Sequence, residues 1–266
     1  MSEPAHLSMS GTALVTGSSG GLGEHFADFC ARNGMDLVLT ARSADKLTAN
    51  AERLRQRHGC EVTVIPADLT RAEERTRLVD ELSERGIVVQ TLINNAGFGS
   101  HGDFASADPD RMLDEVSLNV AAVTHLSRLL VPPMIAQGEG TIINIASTAA
   151  YQPIPSMAVY AATKSFVLSL SQALHSELKP KGVQVIAVCP GPTETEFFAN
   201  TGEPTAMARR RTPEQVVQST FRALSRGVPS VIDGPTNTLT ARAAKLLPIQ
   251  LVLPMARLYA KPRRKR

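Results

Sequence analysis

TALVTGSSGGLG, at Thr12–Gly23, is the segment that says most about the fold. Its first five residues are apolar or β-branched, as in a short buried strand, and a helical pattern begins at Leu22. The glycines between strand and helix let the backbone turn tightly, and a helix N-terminus favours the negative charge of a pyrophosphate. Glycine also serves in plain turns, but between a first strand and a first helix this loop predicts a dinucleotide-binding unit.

Strand-like and helical segments alternate along most of the chain. The strand-like runs are rich in Val, Ile, Leu and Thr, and several are apolar on both faces, which is typical of strands covered by two layers. The pattern predicts an α/β protein with a doubly wound, seven-stranded parallel sheet, the Rossmann fold. The predicted strands are Thr12–Thr16, Asp36–Thr40, Glu61–Ile65, Gln90–Asn94, Thr141–Ala146, Val183–Val188 and Pro229–Asp233, and the predicted helices are Leu22–Arg32, Ala44–Arg57, Arg71–Arg85, Pro109–Gln137, Met157–Leu178 and Pro213–Ser225.

Composition is that of an ordinary globular protein. Hydrophobic residues make up 43% of the 266 residues and charged residues 20%, and the net charge is only +3. The chain has neither a repeat nor a low-complexity linker. We therefore predict one Rossmann-type domain over residues 1–235 and a helical C-terminal extension over residues 236–266.

The sequence favours a soluble protein located in the cytoplasm. Met1–Gly11 lacks the basic-then-apolar order of a secretory signal, and no apolar run reaches the ~18 residues needed to span a bilayer. The three cysteines, Cys30, Cys60 and Cys189, fit free thiols better than disulfides. The six histidines show no spacing typical of metal ligands, so we expect no metal site.

Arg42 follows the second predicted strand, where a dinucleotide fold reads the ribose of the adenosine. An acidic residue at this place would bond the 2′-hydroxyl of NAD, but none is present. Arginine instead offers a charged fork to a 2′-phosphate. The sequence favours NADP(H) over NAD(H), with a solvated residue at a helix start as the alternative reading of Arg42.

Polar and small residues also follow the other predicted strands, where ligands of such sheets bind. Asp68 could accept from the exocyclic amine of an adenine with Leu69 against the ring, or it could equally cap the next helix. Asn94–Gly97 is small and polar, as suits a backbone that passes close to a ligand.

Tyr160 and Lys164 are four residues apart in a predicted helix, so their side chains project from the same face. A free phenol has a pKa near ~10, and a neighbouring ammonium favours the phenolate and lowers that pKa. A tyrosine tuned in this way can exchange a proton with a substrate oxygen. The pair alone is weak evidence for a site, because this spacing often arises by chance.

Taken in order, these features resemble the short-chain dehydrogenase/reductase family. The resemblance covers about Gly11 to Asp233, and chance does not explain the joint order and spacing of its motifs. They are the Thr16–Gly23 loop, Asp68, Asn94–Gly97, Asn119, Ser147, the Tyr160-x-x-x-Lys164 pair and Pro190-Gly191.

The resemblance implies an NADP-dependent oxidoreductase that transfers a hydride between the nicotinamide and a ketone, aldehyde or secondary alcohol. Tyr160 would be the general acid/base, and Lys164 would lower its pKa and hold the ribose hydroxyls. Ser147 would bind the substrate oxygen, and Asn119 would hold a water that links Lys164 to solvent. The residues implied in cofactor binding are Gly17, Ser18, Ser19, Gly21, Leu22, Arg42, Ser43, Asp68, Leu69, Asn95, Ala96, Gly97, Tyr160, Lys164, Pro190, Gly191, Thr193 and Thr195.

The family also implies a homodimer or homotetramer built on its two long helices. A substrate lid is expected over Glu194–Arg211, where Phe197, Phe198 and Met207 suggest an apolar cover and Arg209–Arg211 a basic rim or a solvated charge run. The C-terminal extension departs from many family members. We favour its packing on the domain or a partner subunit over contact with an anionic membrane surface.

A second class of function competes with catalysis, since fold does not fix function. The chain could be a cofactor-binding regulatory or scaffold protein, possibly associated with a membrane through its tail. The matched set of Ser147, Tyr160 and Lys164 argues against a pure binder, and the single basic cluster at the C-terminus argues against nucleic acid.

Overall fold

The computed structural model describes residues 10–195 and 210–259, and its described strands form one seven-stranded parallel sheet. The strands run in the order β3-β2-β1-β4-β5-β6-β7, which confirms the predicted fold class. Each predicted strand end lies within one residue of the observed end. The strands are β1 (Thr12–Thr16), β2 (Asp36–Thr40), β3 (Val62–Val64), β4 (Val89–Asn94), β5 (Gly140–Ile145), β6 (Val183–Cys189) and β7 (Ser230–Ile232).

Helices cover both faces of this sheet. Apolar side chains of α1, α2 and α7 pack on one face, and those of α3, α5 and α6 pack on the other, so the strands are buried between two layers. The helices are α1 (Gly21–Arg32), α2 (Ala44–His58), α3 (Ala72–Glu84), α4 (Pro109–Val116), α5 (Val123–Gln137), α6 (Ala158–Leu178), α7 (Pro213–Leu224), α8 (Pro235–Leu246) and α9 (Ile249–Tyr259).

The winding of the sheet reverses at β1, which has β2 on one side and β4 on the other. The loops that leave the carboxyl ends of β1 and β4 therefore diverge and leave a crevice between them. Two paired amides, Asn94 and Asn144, brace neighbouring strands below this crevice, with Nδ2 of Asn94 donating to Oδ1 of Asn144 at 2.8 Å. The topology thus places the predicted ligand-binding residues at one edge of the sheet.

The helix over Pro109–Gln137 is continuous but not uniformly α-helical. A π-helical segment, Ser117–Ala122, joins α4 to α5. By length and composition alone this helix could cross a membrane, which differs from the expectation that no segment reaches that length. Leu126, Leu130 and Met134 are buried in the main core, as in the core helix of a globular protein.

The C-terminal extension forms two helices in the described part of the chain, α8 and α9. Ala241 of α8 and Val252 and Ala256 of α9 are buried, so both helices pack against the body of the protein. The predicted lid residues Phe197, Phe198, Met207 and Arg209, and the basic end Arg263–Arg266, lie outside the described residues.

Candidate active site

The glycine loop after β1 is held in place by its own backbone. Gly17 has a φ of +66°, which a side chain would strain. At Gly23 a Cβ would collide with the carbonyl oxygen of Gly17 and lie 2.6 Å from Nδ2 of Asn95. The Asn95 amide donates to the carbonyl of Thr16 at 2.9 Å and to that of Gly17 at 3.2 Å. The close approach of helix α1 to β1 therefore depends on glycine and is fixed by Asn95.

Basic side chains lie at the far end of the cleft that this loop opens. Arg42, Ser43 and Lys46 line that end, and all three are exposed. Sequence reasoning missed Lys46, although its position four residues after Arg42 at the start of α2 was a usable signal. The two cations give this end of the cleft the charge that a phosphate group requires.

Asp68 and Leu69 line the wall of the cleft beside β3. Oδ1 of Asp68 accepts from the backbone N–H of Thr70 at 3.1 Å and from its hydroxyl at 2.8 Å. Asp68 thus closes a local turn, while the N-cap of α3 is Arg71. Of the two readings weighed for Asp68, the helix cap is wrong, and a place at the cleft wall is what the structure shows.

The side chains of Ser147, Tyr160 and Lys164 meet at the inner end of the cleft. Ser147 follows β5, and its Oγ accepts from the N–H of Ala149 at 3.1 Å, which orients the hydroxyl. Tyr160 and Lys164 lie one turn apart on α6, with Nζ 5.8 Å from the centroid of the phenol ring. Nζ donates to the carbonyl of Ile145 at 2.8 Å. The three groups predicted to perform chemistry are therefore brought together.

The ionisation of Tyr160 and Lys164 differs from the expectation that the ammonium makes the phenol acidic. Burial raises the pKa of Tyr160 to about 12, against a hydrogen bond from Ser147 that lowers it. Burial also lowers the pKa of Lys164 to about 8. Both side chains are almost fully buried, at 9% and 5% exposed, so the loss of water outweighs their mutual attraction. The phenol is consequently protonated at neutral pH.

Asn119 lies behind these groups and not on the cleft wall. It is fully buried in the π-helical segment, where its Nδ2 donates to the carbonyl of Phe98 at 2.8 Å and to the Thr163 hydroxyl at 3.1 Å. Its Oδ1 accepts from the N–H of Phe98 at 3.2 Å. A Cβ on Gly97 would lie 2.8 Å from this Oδ1 and 3.4 Å from Nζ of Lys164. Asn119 therefore ties the loop after β4 to the helix that carries Tyr160.

The predicted cofactor-binding residues line one cleft of about 1430 Å³, with a single exception. The exception is Ser18, which is fully buried behind the loop while its carbonyl accepts from Nδ2 of Asn50 at 2.9 Å. Residues of α8 complete the cleft on the opposite side. The predicted residues that line it are Gly17, Ser19, Gly21, Leu22, Arg42, Ser43, Asp68, Leu69, Asn95, Ala96, Gly97, Tyr160, Lys164, Pro190, Gly191, Thr193 and Thr195.

Two further charged residues were missed or misread from the sequence. Glu115 is fully buried near the catalytic groups, although its position in an amphipathic pattern gave no sign of this. Arg211 is not part of a solvated charge run, since its Nε and Nη2 both donate to the buried carboxylate of Asp233 at 2.9 Å. Among the described residues, no cluster of His, Cys, Asp and Glu is arranged to hold a metal ion.

The fold and this cleft define a dinucleotide-binding α/β protein of the doubly wound class. Comparison with known proteins supports this class of protein. The family model for short chain dehydrogenase matches residues 11–206, which is most of the chain. The protein therefore belongs to the short-chain dehydrogenase family, and it is an NAD(P)-dependent oxidoreductase of that family.

Individual relatives bring more detail. The chain is 32% identical over 251 residues to a very-long-chain 3-oxoacyl-CoA reductase of Bos taurus, covering 92% of this chain and 78% of the bovine protein. The protein of the same name in Mus musculus is 34% identical over 184 residues, and the match spans only 58% of that protein.

Two solved structures share the fold closely. A short-chain dehydrogenase from Sphingobium yanoikuyae in complex with NADPH has a TM-score of 0.81 and 35% identity, with 88% of this chain and 91% of that chain covered. A bulky-bulky ketone specific alcohol dehydrogenase from Comamonas testosteroni has a TM-score of 0.76 and 33% identity, with 88% and 92% covered.

Proposed function

We propose that the protein is an NADP(H)-dependent oxidoreductase that interconverts a ketone or aldehyde with the corresponding alcohol, with Tyr160 as general acid/base. The observation that carries this proposal is the meeting of Ser147, Tyr160 and Lys164 at the inner end of a glycine-lined cleft. A protein that only binds a cofactor has no need for a matched proton donor, so this arrangement favours catalysis over a purely regulatory role.

The residues of the cleft suit a phosphorylated dinucleotide. Gly17, Gly20 and Gly21 line the cleft and carry no side chains, so the backbone of the loop leaves room for a pyrophosphate beside the N-terminus of α1. Arg42 and Lys46 place two cations at the end where a 2′-phosphate would lie. When bound, NADPH supplies the hydride. The NADPH in the Sphingobium relative supports the same choice of cofactor.

The chain's own residues then perform the proton chemistry. Tyr160 is held protonated by its burial, so it can donate its phenolic proton to the substrate oxygen during carbonyl reduction. Ser147 presents a hydroxyl to the same oxygen and stabilises the charge that develops there. Lys164 would hold the ribose hydroxyls of the cofactor, and Asn119 fixes the spacing between the cofactor-lining loop and α6.

Arg42→Ala is expected to raise the KM for NADPH about 10- to 100-fold, because a charge-assisted hydrogen bond to phosphate contributes roughly that much affinity. The KM for NADH should change less than about threefold, since NADH carries no 2′-phosphate. Initial rates with both cofactors measure the two effects. Arg226→Ala, which removes an equally exposed arginine beyond α7, is the matched control. An equal loss of affinity for NADH and NADPH would contradict the assignment of Arg42.

A panel of carbonyl compounds tests the activity itself. Aliphatic, aromatic and bulky ketones and aldehydes are offered with NADPH, and the loss of absorbance at the nicotinamide band is followed. NADH is run beside each reaction. Reduction of at least one compound, faster with NADPH, is the expected result. NADPH binding without turnover of any compound would favour the regulatory alternative.

We further propose a cytoplasmic homodimer or homotetramer. The support is family resemblance together with the long helices, Pro109–Gln137 and Ala158–Leu178, that such subunit contacts use. Light scattering on the purified protein tests the proposal, and a monomeric mass would overturn it.

A further inference from the structure

Helix α8 separates the cleft from the protein surface and has two different faces. Its inner face contributes Asn237, Thr240, Ala241 and Ala244 to the cleft wall. Its outer face carries Leu239, Arg242, Lys245 and Leu246, which follow one another at the spacing of a single helical stripe. Leu239 is 71% exposed and Leu246 86% exposed. Both leucines therefore face away from the core.

Helix α9 extends this outer surface. One side of the helix is buried through Val252 and Ala256. The large apolar side chains before and after these two residues are exposed. Leu251 is 55% exposed, and Ile249 is 46% exposed. A run of exposed large apolar residues on two successive helices is unusual on a monomeric soluble protein and marks a contact surface. The exposed apolar residues of this surface are Leu239, Leu246, Ile249, Leu251 and Leu253, while Leu247 and Met255 are also exposed but line the cleft.

The charge of this region is entirely of one sign. Residues 234–266 contain eight Lys and Arg residues and no Asp or Glu. The rest of the chain accordingly has 20 Lys and Arg residues against 25 Asp and Glu residues. Arg242, Lys245 and Arg257 lie beside the exposed apolar side chains and are themselves exposed. The C-terminal segment is thus strongly basic on an otherwise acidic protein.

We propose that the outer surface of α8 and α9 binds an anionic lipid bilayer. Exposed apolar side chains next to a purely basic segment are the combination that holds a peripheral helix in the interface of such a membrane. Each basic residue near an anionic surface strengthens binding about fivefold. A contact between two copies of the chain through this surface would bring Arg242, Lys245 and Arg257 of one copy close to the same positive charges of the other, and it would gain nothing from them. The sequence alone favours packing of the tail on the domain or a partner over this contact with a membrane.

Vesicle co-sedimentation of the full-length protein tests the proposal. We expect binding to phosphatidylcholine vesicles that contain phosphatidylglycerol, about tenfold or more weaker binding to pure phosphatidylcholine, and a decline with added salt. The double variant Leu246→Gln/Leu251→Gln should lose binding, and Arg242→Gln/Lys245→Gln should weaken it about tenfold or more. Leu113→Gln on α4 is the matched control, since Leu113 is 65% exposed and lies on another surface.

Several outcomes would overturn the proposal. One is full-length protein that stays in the supernatant with anionic vesicles at low salt. Another is a loss of vesicle binding in Leu113→Gln equal to that of the double leucine variant. A third is a fall in solution mass in the double variant, measured by light scattering, without any vesicle binding by the parent protein, which would identify a subunit contact instead. Thermal melts of each variant check that it is folded, so that a loss of vesicle binding is not caused by unfolding.

A separate observation concerns Glu115 on α4. Its side chain is fully buried, and neither carboxylate oxygen makes a hydrogen bond within the described residues. The hydroxyl of Ser100 faces it and is likewise buried without a hydrogen bond of normal geometry. Glu115 lies four residues before the buried Asn119, and α4 packs against α6, which carries the catalytic groups. A buried carboxylate whose nearest polar neighbour is a single serine is costly, so its place calls for a role.

Charged and titratable groups on two helices, α4 and α6, lie near Glu115. Arg111 lies one turn earlier on α4, and Lys164 and Tyr160 lie on α6. Burial raises the pKa of Glu115, while Ser100, Arg111 and Lys164 lower it. Burial raises the pKa of the Cys189 thiol on β6 to about 12, so that neighbour is uncharged at neutral pH. Arg111 has a larger effect on Glu115 than Lys164 but is exposed, so Lys164 is the buried cation on which a charged Glu115 acts.

We infer that Glu115 is a positioning residue that keeps Lys164 charged at the working pH. This inference rests on the proposed function, because it assigns Lys164 to the cofactor ribose. Removal of a nearby negative charge lets Lys164 lose its proton at a lower pH and lets Tyr160 do the same. The consequence is a catalytic site that fails earlier as the pH rises.

The test compares Glu115→Gln with Glu115→Asp and with Glu139→Gln, which removes an exposed carboxylate far from the site. NADPH affinity is measured by fluorescence from pH 6 to pH 10, together with kcat/KM for one carbonyl substrate. In Glu115→Gln, NADPH affinity and kcat/KM should both begin to fall at a pH roughly half a unit or more below that of the parent protein. Glu115→Asp and Glu139→Gln should show the same pH dependence as the parent. Unshifted profiles in an active Glu115→Gln enzyme would overturn the inference alone. A parent that binds no NADPH would overturn the proposed function first.

Discussion

Tyr160→Phe is expected to lower kcat for carbonyl reduction about 10³-fold, with NADPH affinity changed less than about twofold. The substitution keeps the ring that packs at the inner end of the cleft and removes only the hydroxyl, so the proton donor is lost without a cavity. General acid catalysis by a positioned side chain contributes about 10²- to 10⁴-fold, which sets the size of the effect. Steady-state rates and a fluorescence titration with NADPH measure the two quantities.

Tyr151→Phe provides the matched control for this experiment. Tyr151 is a half-buried phenol on the same side of the sheet, in the turn after Ser147, but it does not line the cleft. Turnover in Tyr151→Phe should stay within about threefold of the parent. Retained turnover in Tyr160→Phe, or an equal loss in both variants, would remove Tyr160 from the role of proton donor.

Asp233→Asn is expected to destabilise the protein by about 3 kcal/mol, or to lower Tm by about 6–10 °C. The carboxylate is fully buried and accepts two hydrogen bonds from Arg211 and one from the Ser219 hydroxyl. The amide keeps the volume but leaves the guanidinium, 31% exposed, without its counter-charge. A thermal melt at neutral pH gives the change in Tm.

Glu73→Gln serves as the control for Asp233→Asn. It removes a carboxylate from an ion pair with Arg71 in which both side chains are more than 60% exposed. Exposed pairs contribute little to stability, so the change should stay below about 1 kcal/mol. Equal shifts of Tm in the two variants would mean that the pair between Arg211 and Asp233 contributes no more than a surface contact.

The fold could be predicted because its signals are local. A parallel sheet covered on both faces requires short strands that are apolar on both sides, and strand and helix periods are visible in the chain itself. The order of strands then follows from the connection rules, and the carboxyl edge collects the residues that follow each strand. For this reason Ser147 and Arg42, which follow predicted strands, could be placed at that edge before any coordinates, whereas the resemblance to the short-chain dehydrogenase/reductase family was needed to assign Tyr160 and Lys164 to the same cleft.

The errors arose where burial decides the outcome. The sequence shows that Tyr160 and Lys164 are neighbours, but not that both are sealed from water, and desolvation reverses the expected direction of the phenol's pKa. Ser18 lies in the predicted loop, yet the backbone turns its side chain inward. Arg211 and Glu115 follow the same pattern, since a charged residue in a polar segment gives no sign that it is buried or paired with a distant partner.

The way in which Asn119 holds Phe98 has a practical consequence for engineering. Both hydrogen bonds between the two residues go to the backbone of Phe98, and none depends on its ring. The aromatic side chain and the residues that follow it on the loop can therefore be exchanged while the anchor persists. A library restricted to positions 98, 99, 101 and 103 would vary the pocket wall at Phe98 and leave Ser100 in place beside Glu115, which makes this loop the natural place to evolve new substrate ranges.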